Sequence, residues 1–343
     1  MQTRILLVFT GGTIGSLSDH GNIDLDPNAR FKLLQLFKQR YQNAAAIEFT
    51  TLQPLQILSE NLHPGDWETL IKAIESENLD AYDGIIITHG TDTLAFSAAA
   101  LGLYFNNLNK PMLLVSSNLP LENPEANGIP HMVAAVDFIA QNQAQGVFVA
   151  YQNPGQRLEI HQATRLSSCL PLSGDFISVQ SQSFMHYEAG SFKQHYSLTA
   201  AAKIKVEANF STRILLIRPY PGLNYLNFNL DNIELVLHDL YHSGTACTRD
   251  SFGDSYNLSQ FILHCQQRAL PLYLSPSIYS DSAYSSTREL LAKGAEMLWN
   301  TSIETSYAKL LLAFGNFSQA EERAAFLQTN IAGEHIAALS TGR

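Results

Sequence analysis

Cysteine is scarce in this 343-residue chain: Cys169, Cys247 and Cys265 make an odd count with no CxxC pair. Disulfide scaffolds and thiolate metal sites need paired or clustered thiols. These three therefore read as reduced, half-buried small hydrophobes of a cytosolic protein. Long apolar runs are also missing, and no stretch approaches the ~20 residues that cross a bilayer. The amino terminus offers Arg4 and then only the short run "ILLVF", without the apolar segment and cleavage site of a secretory signal. Positive charge is in deficit, with 21 Lys and Arg against 31 Asp and Glu and a net charge of -10. With no basic stripe in the sequence, nucleic acid is not an expected partner. Neither GxGxxG nor GxxxxGK[ST] occurs, which removes the grounds for dinucleotide or nucleotide-phosphate binding.

What is present is an ordinary globular composition, 45% hydrophobic and 15% charged, of a length that suggests two domains of about 150 residues. The first half alternates strand and helix patterns. "RILLVFT" reads as a buried strand, and 27–41 reads as a helix turning Phe31, Leu33, Leu34, Phe37 and Tyr41 toward the core. A helix follows in "HPGDWETLIKAIES", with Pro64 and Asp66 suited to a first turn. Then come strand "GIIITHG", the Ala-rich helix "DTLAFSAAALGLYF", strand "PMLLVSSN", helix "HMVAAVDFIAQN" and strand "GVFVAYQ". Such alternation implies an α/β fold with a doubly wound, mostly parallel sheet covered by helices on both faces. Periodicity fades between 153 and 212, which reads as loops, short strands and a linker. A second alternating set begins at "RILLIRPYPG" and closes with Ile303, Tyr307, Leu310, Leu311 and Phe314 at helical spacing. The expected organisation is a larger N-terminal domain over 1–195, a linker over 196–212 and a smaller C-terminal α/β domain over 213–343.

Two turns rich in glycine and threonine carry the chemical interest. "TGGTIG" at 10–15 ends one strand, and "THGTDT" at 88–93 ends another and opens a helix. In open parallel sheets, ligands bind beyond the carboxyl ends of strands, so both turns point to one crevice. Glycine lets a ligand approach the backbone, and free N–H groups there hold an anion or a developing oxyanion. Thr13 and Thr91 offer hydroxyls and Asp92 a carboxylate, the kind of partner a hydroxyl nucleophile needs. The bland readings stand beside this one. A glycine-rich turn after a first strand is common, Asp92 alone is an ordinary helix N-cap, and His89 alone is an ordinary satisfied histidine.

At these residues the chain resembles the bacterial-type L-asparaginase family, close to its cytosolic type I branch. That family's two signatures, a TGGTI turn and an HGTDT turn, stand intact at Thr10 to Gly15 and His89 to Thr93. "LSENLHPGDW" resembles its substrate loop, "RPYPG" the opening of its C-terminal domain, and "LLAKGAEMLWNTSIETSYAKL" its last helices. The resemblance implies that Thr13 attacks the side-chain amide of asparagine, giving an acyl-enzyme and ammonia. It implies that Thr91 and Asp92 hold substrate and help activate the nucleophile or water. Ser59 and Glu60 then contact the substrate's α-carboxylate and α-amino groups, with Gly12, Gly90 and the backbone near Thr91 completing the site. A cytoplasmic homotetramer, or dimer of intimate dimers, without metal or organic cofactor is also implied.

The family pattern breaks in four places, all in the implied active-site shell. Asn22 stands where a tyrosine is usual, and Arg165, beside Thr164, where a lysine is usual. Asn127 and His131 stand in the "NPEANGIPHM" segment, and Thr245 replaces an asparagine in "YHSGT". An arginine stays protonated and orients a carboxylate without acting as a neutral base. The departures keep open a second expectation, a catalytically weakened member that binds an amino acid as a sensor or sequestering protein.

Overall fold

The computed structural model describes residues 2–19, 22–25, 29–199 and 201–337; for 13, 16–19, 22–25, 29 and 30 it describes the backbone alone. The chain divides into two compact units, Met1–Ala208 and Asn209–Arg343.

In chain order the first unit runs β1 (Thr3–Val8), β2 (Ser16–Asp19), β3 (Asn22–Leu25), α1 (Ala29–Arg40), β4 (Ile47–Leu52) and α2 (Pro64–Glu75). It continues with β5 (Gly84–Thr88), α3 (Leu94–Tyr104), β6 (Pro111–Val115), α4 (Gly128–Ala140) and β7 (Gly146–Gln152). It closes with β8 (Leu158–Gln162), β9 (Met185–Glu188) and β10 (Ser191–Gln194). Eight of these strands form one sheet in the order β10-β9-β8-β7-β6-β5-β1-β4, and β2 and β3 form a separate ribbon. The run from β4 to β7 is parallel, as the alternation of strands and helices implied. The segment that lost periodicity holds the short strands expected there, β8, β9 and β10, as an antiparallel extension of the same sheet.

Every residue of β5 and β6 is buried, because helices cover the sheet on both faces. One core joins Ile5, Leu7, Ile86, Leu113 and Phe148 to Leu33 and Phe37 of α1 and Met132 and Phe138 of α4. The alternate residues Leu6, Ile85, Ile87 and Leu114 are equally inaccessible. Helix α2 starts in a capping box: the His63 ring accepts from Gly65 N (3.2 Å), and Asp66 accepts from His63 N (2.8 Å). Phe31 corrects the expected core stripe, since it is 60% exposed while Leu33 and Phe37 are fully buried. At about 100° per residue, position 31 lies on the far side of the helix from 33.

The second unit contains β11 (Ile214–Ile217), β12 (Leu235–Asp239), α5 (Leu258–Gln267), β13 (Leu272–Ser277), α6 (Ser285–Ala292), β14 (Glu296–Trp299), α7 (Ile303–Asn316) and α8 (Ala320–Gln328). Its four strands are parallel in sequential order. Helix α7 is capped by Ser302, whose hydroxyl accepts from Thr305 N at 3.2 Å. Behind it, buried Lys309 donates to Glu334 (2.6 Å) and to Thr329 O (2.5 Å). The same carboxylate accepts from Ile331 N and Ala332 N. The pair thereby fastens the stretch after α8 onto α7.

Candidate active site

The first sheet has its strand-order reversal at β1. From β1 the chain passes to β4 on one side, and β5 then joins on the other. Loops leaving such neighbours diverge and open a crevice at the carboxyl ends. Three segments leave there: the turn after β1 with Gly12 and Thr13, the loop after β4 with Ser59, and the turn after β5 with Gly90, Thr91 and Asp92.

These segments lock together at distances that only glycine permits. Gly11 bridges to Ile57, and Gly12 N donates to Ile57 O at 3.0 Å. Gly12 has φ +75°, and a Cβ on it would lie 2.3 Å from Gly90 N and 2.4 Å from Gly90 Cα. A Cβ on Gly90 would meet the Ser59 hydroxyl at 2.4 Å. Thr10 spans the same gap, its hydroxyl donating to Thr88 O at 2.6 Å. The two turns are therefore in backbone contact. The backbone at Thr13 enters a short 3-10 turn, Thr13–Gly15, closed by Gly15 N donating to Gly12 O at 2.8 Å. Its hydroxyl lies outside the described atoms, as does the Asn22 side chain.

Ser59 is the hinge of the side-chain arrangement. Buried itself, it donates its hydroxyl to Asp92 Oδ2 (3.1 Å) and accepts from Asp92 N (3.2 Å), while its carbonyl accepts from the Thr93 hydroxyl (2.9 Å). This corrects the N-cap reading of Asp92. Helix α3 begins at Leu94, Thr93 occupies the cap position, and the Asp92 carboxylate turns to Ser59 instead. Thr91 is half-buried, while Asp92 and Glu60 are exposed to solvent. His89 is fully buried and donates Nδ1–H to Gly90 O at 2.7 Å. Burial holds its pKa below the usual histidine range, against the opposing pull of that bond and of Asp92.

Apart from Asn22, the departures from the family pattern find definite places. Arg165 has its guanidinium over the Tyr196 ring, 5.0 Å from the centroid. The 163–165 turn packs against Gly102, where a Cβ would meet Thr164 Cγ2 at 2.9 Å. The Cys169 thiol is pushed up by burial and then by the nearby Asp92 carboxylate. Nothing in the spacing pointed to Cys169, because the chain makes a β-bridge at Leu166 before reaching the site.

Asn127 and His131 serve as braces. The Asn127 amide accepts from Asn118 N (2.9 Å) and donates to Gln152 O (3.0 Å). His131 donates Nδ1–H to Ser116 O (2.7 Å) and accepts from Gln152 N through Nε2 (2.8 Å). Together they tie the end of β6, beside the turn at 89–93, to the end of β7. Burial lowers the His131 pKa to about 4, which fixes it in the neutral form this pattern requires. Thr245 belongs to a turn of the second unit, its hydroxyl 2.9 Å from that of Ser243. Among the described residues no group of three or more His, Cys, Asp or Glu side chains is placed to hold a metal ion, and no helix is long and apolar enough to cross a membrane.

A carboxylate held beside a glycine-only backbone cradle at a switch point suits the hydrolysis of a small amide. Comparison with known proteins agrees. The family model "Asparaginase, N-terminal" matches residues 4–196, more than half of the chain, and the chain belongs to the asparaginase family. An L-asparaginase of Thermococcus kodakarensis is 26% identical over 338 residues, covering 96% of this chain and 98% of the relative. A component of the glutamyl-tRNA(Gln) amidotransferase of Aeropyrum pernix is 25% identical over 349 residues, covering 97% of this chain and 79% of the relative. Among solved structures, L-asparaginase I from Vibrio cholerae superposes with a TM-score of 0.79 at 21% identity, covering 98% of this chain and 100% of that one.

Proposed function

We propose that the protein hydrolyses the side-chain amide of L-asparagine to L-aspartate and ammonia through an ester on Thr13. The Thr13 oxygen bonds to the amide carbon, and the C–N bond breaks. The hydroxyl proton leaves with the nitrogen as ammonia. Water then attacks the ester, restoring the hydroxyl and releasing aspartate. Thr91 and Asp92 hold the substrate and assist proton transfer, and Ser59 and Glu60 meet its α-carboxylate and α-amino groups. Backbone N–H groups near Thr91 face the developing oxyanion. The observation that carries this reading is the three-way interlock of Gly12, Gly90 and Ser59, which sets the turn bearing Thr13 against Thr91 and Asp92. The homotetramer implied by the family resemblance goes with this reading, and light scattering coupled to gel filtration tests it.

A second substrate, glutamine, is favoured by the match to relatives named as components of a glutamyl-tRNA(Gln) amidotransferase. Ammonia release from asparagine, glutamine and short β-aspartyl amides separates the two. Asparagine turnover that disappears in folded Thr13→Ala supports the first reading, and turnover of glutamine alone supports the second. Aspartate binding without ammonia from any amide assigns the protein to sensing or sequestration.

A further inference from the structure

The peptide joining Gly90 to Thr91 has two polar ends with different fates. The carbonyl of Gly90 accepts from His89 Nδ1–H at 2.7 Å. The N–H of Thr91 donates to nothing among the described residues. Thr91 is half-buried, and an orphan backbone donor there is open to a ligand. It follows directly on the Gly12–Gly90 contact and precedes Asp92. A trans peptide is planar, so its C=O and N–H point in opposite directions. The carbonyl points at a ring that is only 2% exposed, so the N–H points away from that buried side, toward the crevice.

Glycine alone leaves such a peptide free to rotate, so neighbours must hold it. Ser59 crowds residue 90 from one side, where a Cβ would meet its hydroxyl at 2.4 Å. His89 pins the carbonyl on the other. Its backbone is anchored to the end of β6, with His89 N donating to Val115 O at 2.9 Å. Its ring makes no other hydrogen bond among the described residues. Burying an imidazole for a single bond costs more than filling the same space with carbon, so that bond carries the residue's role. A carbonyl only accepts, which places the proton on Nδ1, and burial keeps the ring neutral. A bond to the carbonyl also polarises the N–H at the far end of the same peptide. We propose that His89 is a positioning residue for amide hydrolysis, holding Gly90 O so that Thr91 N–H is aimed and strengthened as a donor to the oxyanion at the substrate's amide carbon. This rests on the reaction proposed at Thr13.

The test compares His89→Asn and His89→Leu in the full chain by ammonia release from asparagine. The Asn amide nitrogen takes the place of Nδ1 and donates to Gly90 O, whereas Leu fills the space without a donor. His89→Leu is expected to lower kcat about 10- to 100-fold, somewhat less than the loss of a whole oxyanion donor, with KM within about threefold of the parent. His89→Asn is expected to recover most of the parent kcat. A merely space-filling His89 predicts the reverse order, because Asn leaves the larger void, and a lower Tm without a split between kcat and KM. Parent-like kcat in folded His89→Leu, or His89→Asn no better than His89→Leu, overturns this proposal and leaves the Thr13 reaction standing. Should His89→Leu fail to fold, nitrogen NMR of the histidine-labelled parent near neutral pH decides. A neutral His89 ring protonated at Nδ1 is expected, and a bare Nδ1 overturns the proposal. No ammonia from the folded parent overturns the Thr13 reaction and this proposal together.

Discussion

Replacing Gly12 by alanine probes the joint on which the candidate active site depends. Two costs add. An L-residue at φ +75° carries on the order of 1–2 kcal/mol of backbone strain. The new Cβ would also lie 2.3 Å from Gly90 N and 2.4 Å from Gly90 Cα, both backbone atoms that do not swing aside. Overpacking of this kind costs about 1–3 kcal/mol more. The sum is roughly 2–5 kcal/mol, or about 5–15 °C in Tm for a unit of this size. Gly155 supplies the control, because its φ is +70° but a Cβ there meets nothing within 4 Å. Gly155→Ala therefore carries the strain alone, about 1–2 kcal/mol. Differential scanning calorimetry compares the two variants, and ammonia release follows function. A shift of about an ångström between the turns is expected to lower turnover by about a hundredfold in Gly12→Ala, with Gly155→Ala near the parent rate. Equal Tm losses and equal rates in the two variants would refute the claim that the turns touch at glycine-only distance.

Other perturbations have equally definite expected outcomes. Ser59→Ala removes both bonds to Asp92 and is expected to slow ammonia release about 10- to 100-fold and to lower Tm by several degrees, since bonds to charged groups are worth about 1.5–3 kcal/mol. His131, His161 and His238 are each buried with pKa lowered to about 4. Below about pH 6.5 the unfolded chain binds protons that the folded chain refuses, so stability falls as pH drops toward 4, by up to about 3 kcal/mol per histidine. Urea midpoints across pH 7 to 4 check this, and a His131→Gln variant is expected to show a shallower decline. Lys309→Met strands the Glu334 carboxylate and is expected to cost about 3–5 kcal/mol, whereas the double variant Lys309→Met, Glu334→Leu recovers much of that loss in urea unfolding.

The parts of the fold legible in the sequence are those where one local signal dominates. Runs such as "GIIIT" and "PMLLV" read as buried parallel strands, and the two glycine–threonine turns declared where a backbone approaches closely. Strands β8 to β10 are legible only as unbounded short strands, because their burial is uneven and their residues polar. Lys193 and Gln194 of β10 are exposed, while Glu159 of β8 is tied to Arg157 and Ser183. The joining of Gly12, Gly90 and Ser59 was anticipated only as a shared crevice, because the order of strands that creates it is a tertiary property. Cys169 shows the limit most sharply, because only the path of the chain past Leu166 brings its thiol near the Asp92 charge.

The central claim is that an ester forms at Thr13 during amide hydrolysis, and rapid acid quenching followed by peptide mass spectrometry tests it most directly. With asparagine in excess, one aspartyl group is expected on the peptide containing Thr13, appearing no later than the first turnover of ammonia. Ammonia produced while that peptide stays unmodified, or an aspartyl group found on another residue, would contradict it.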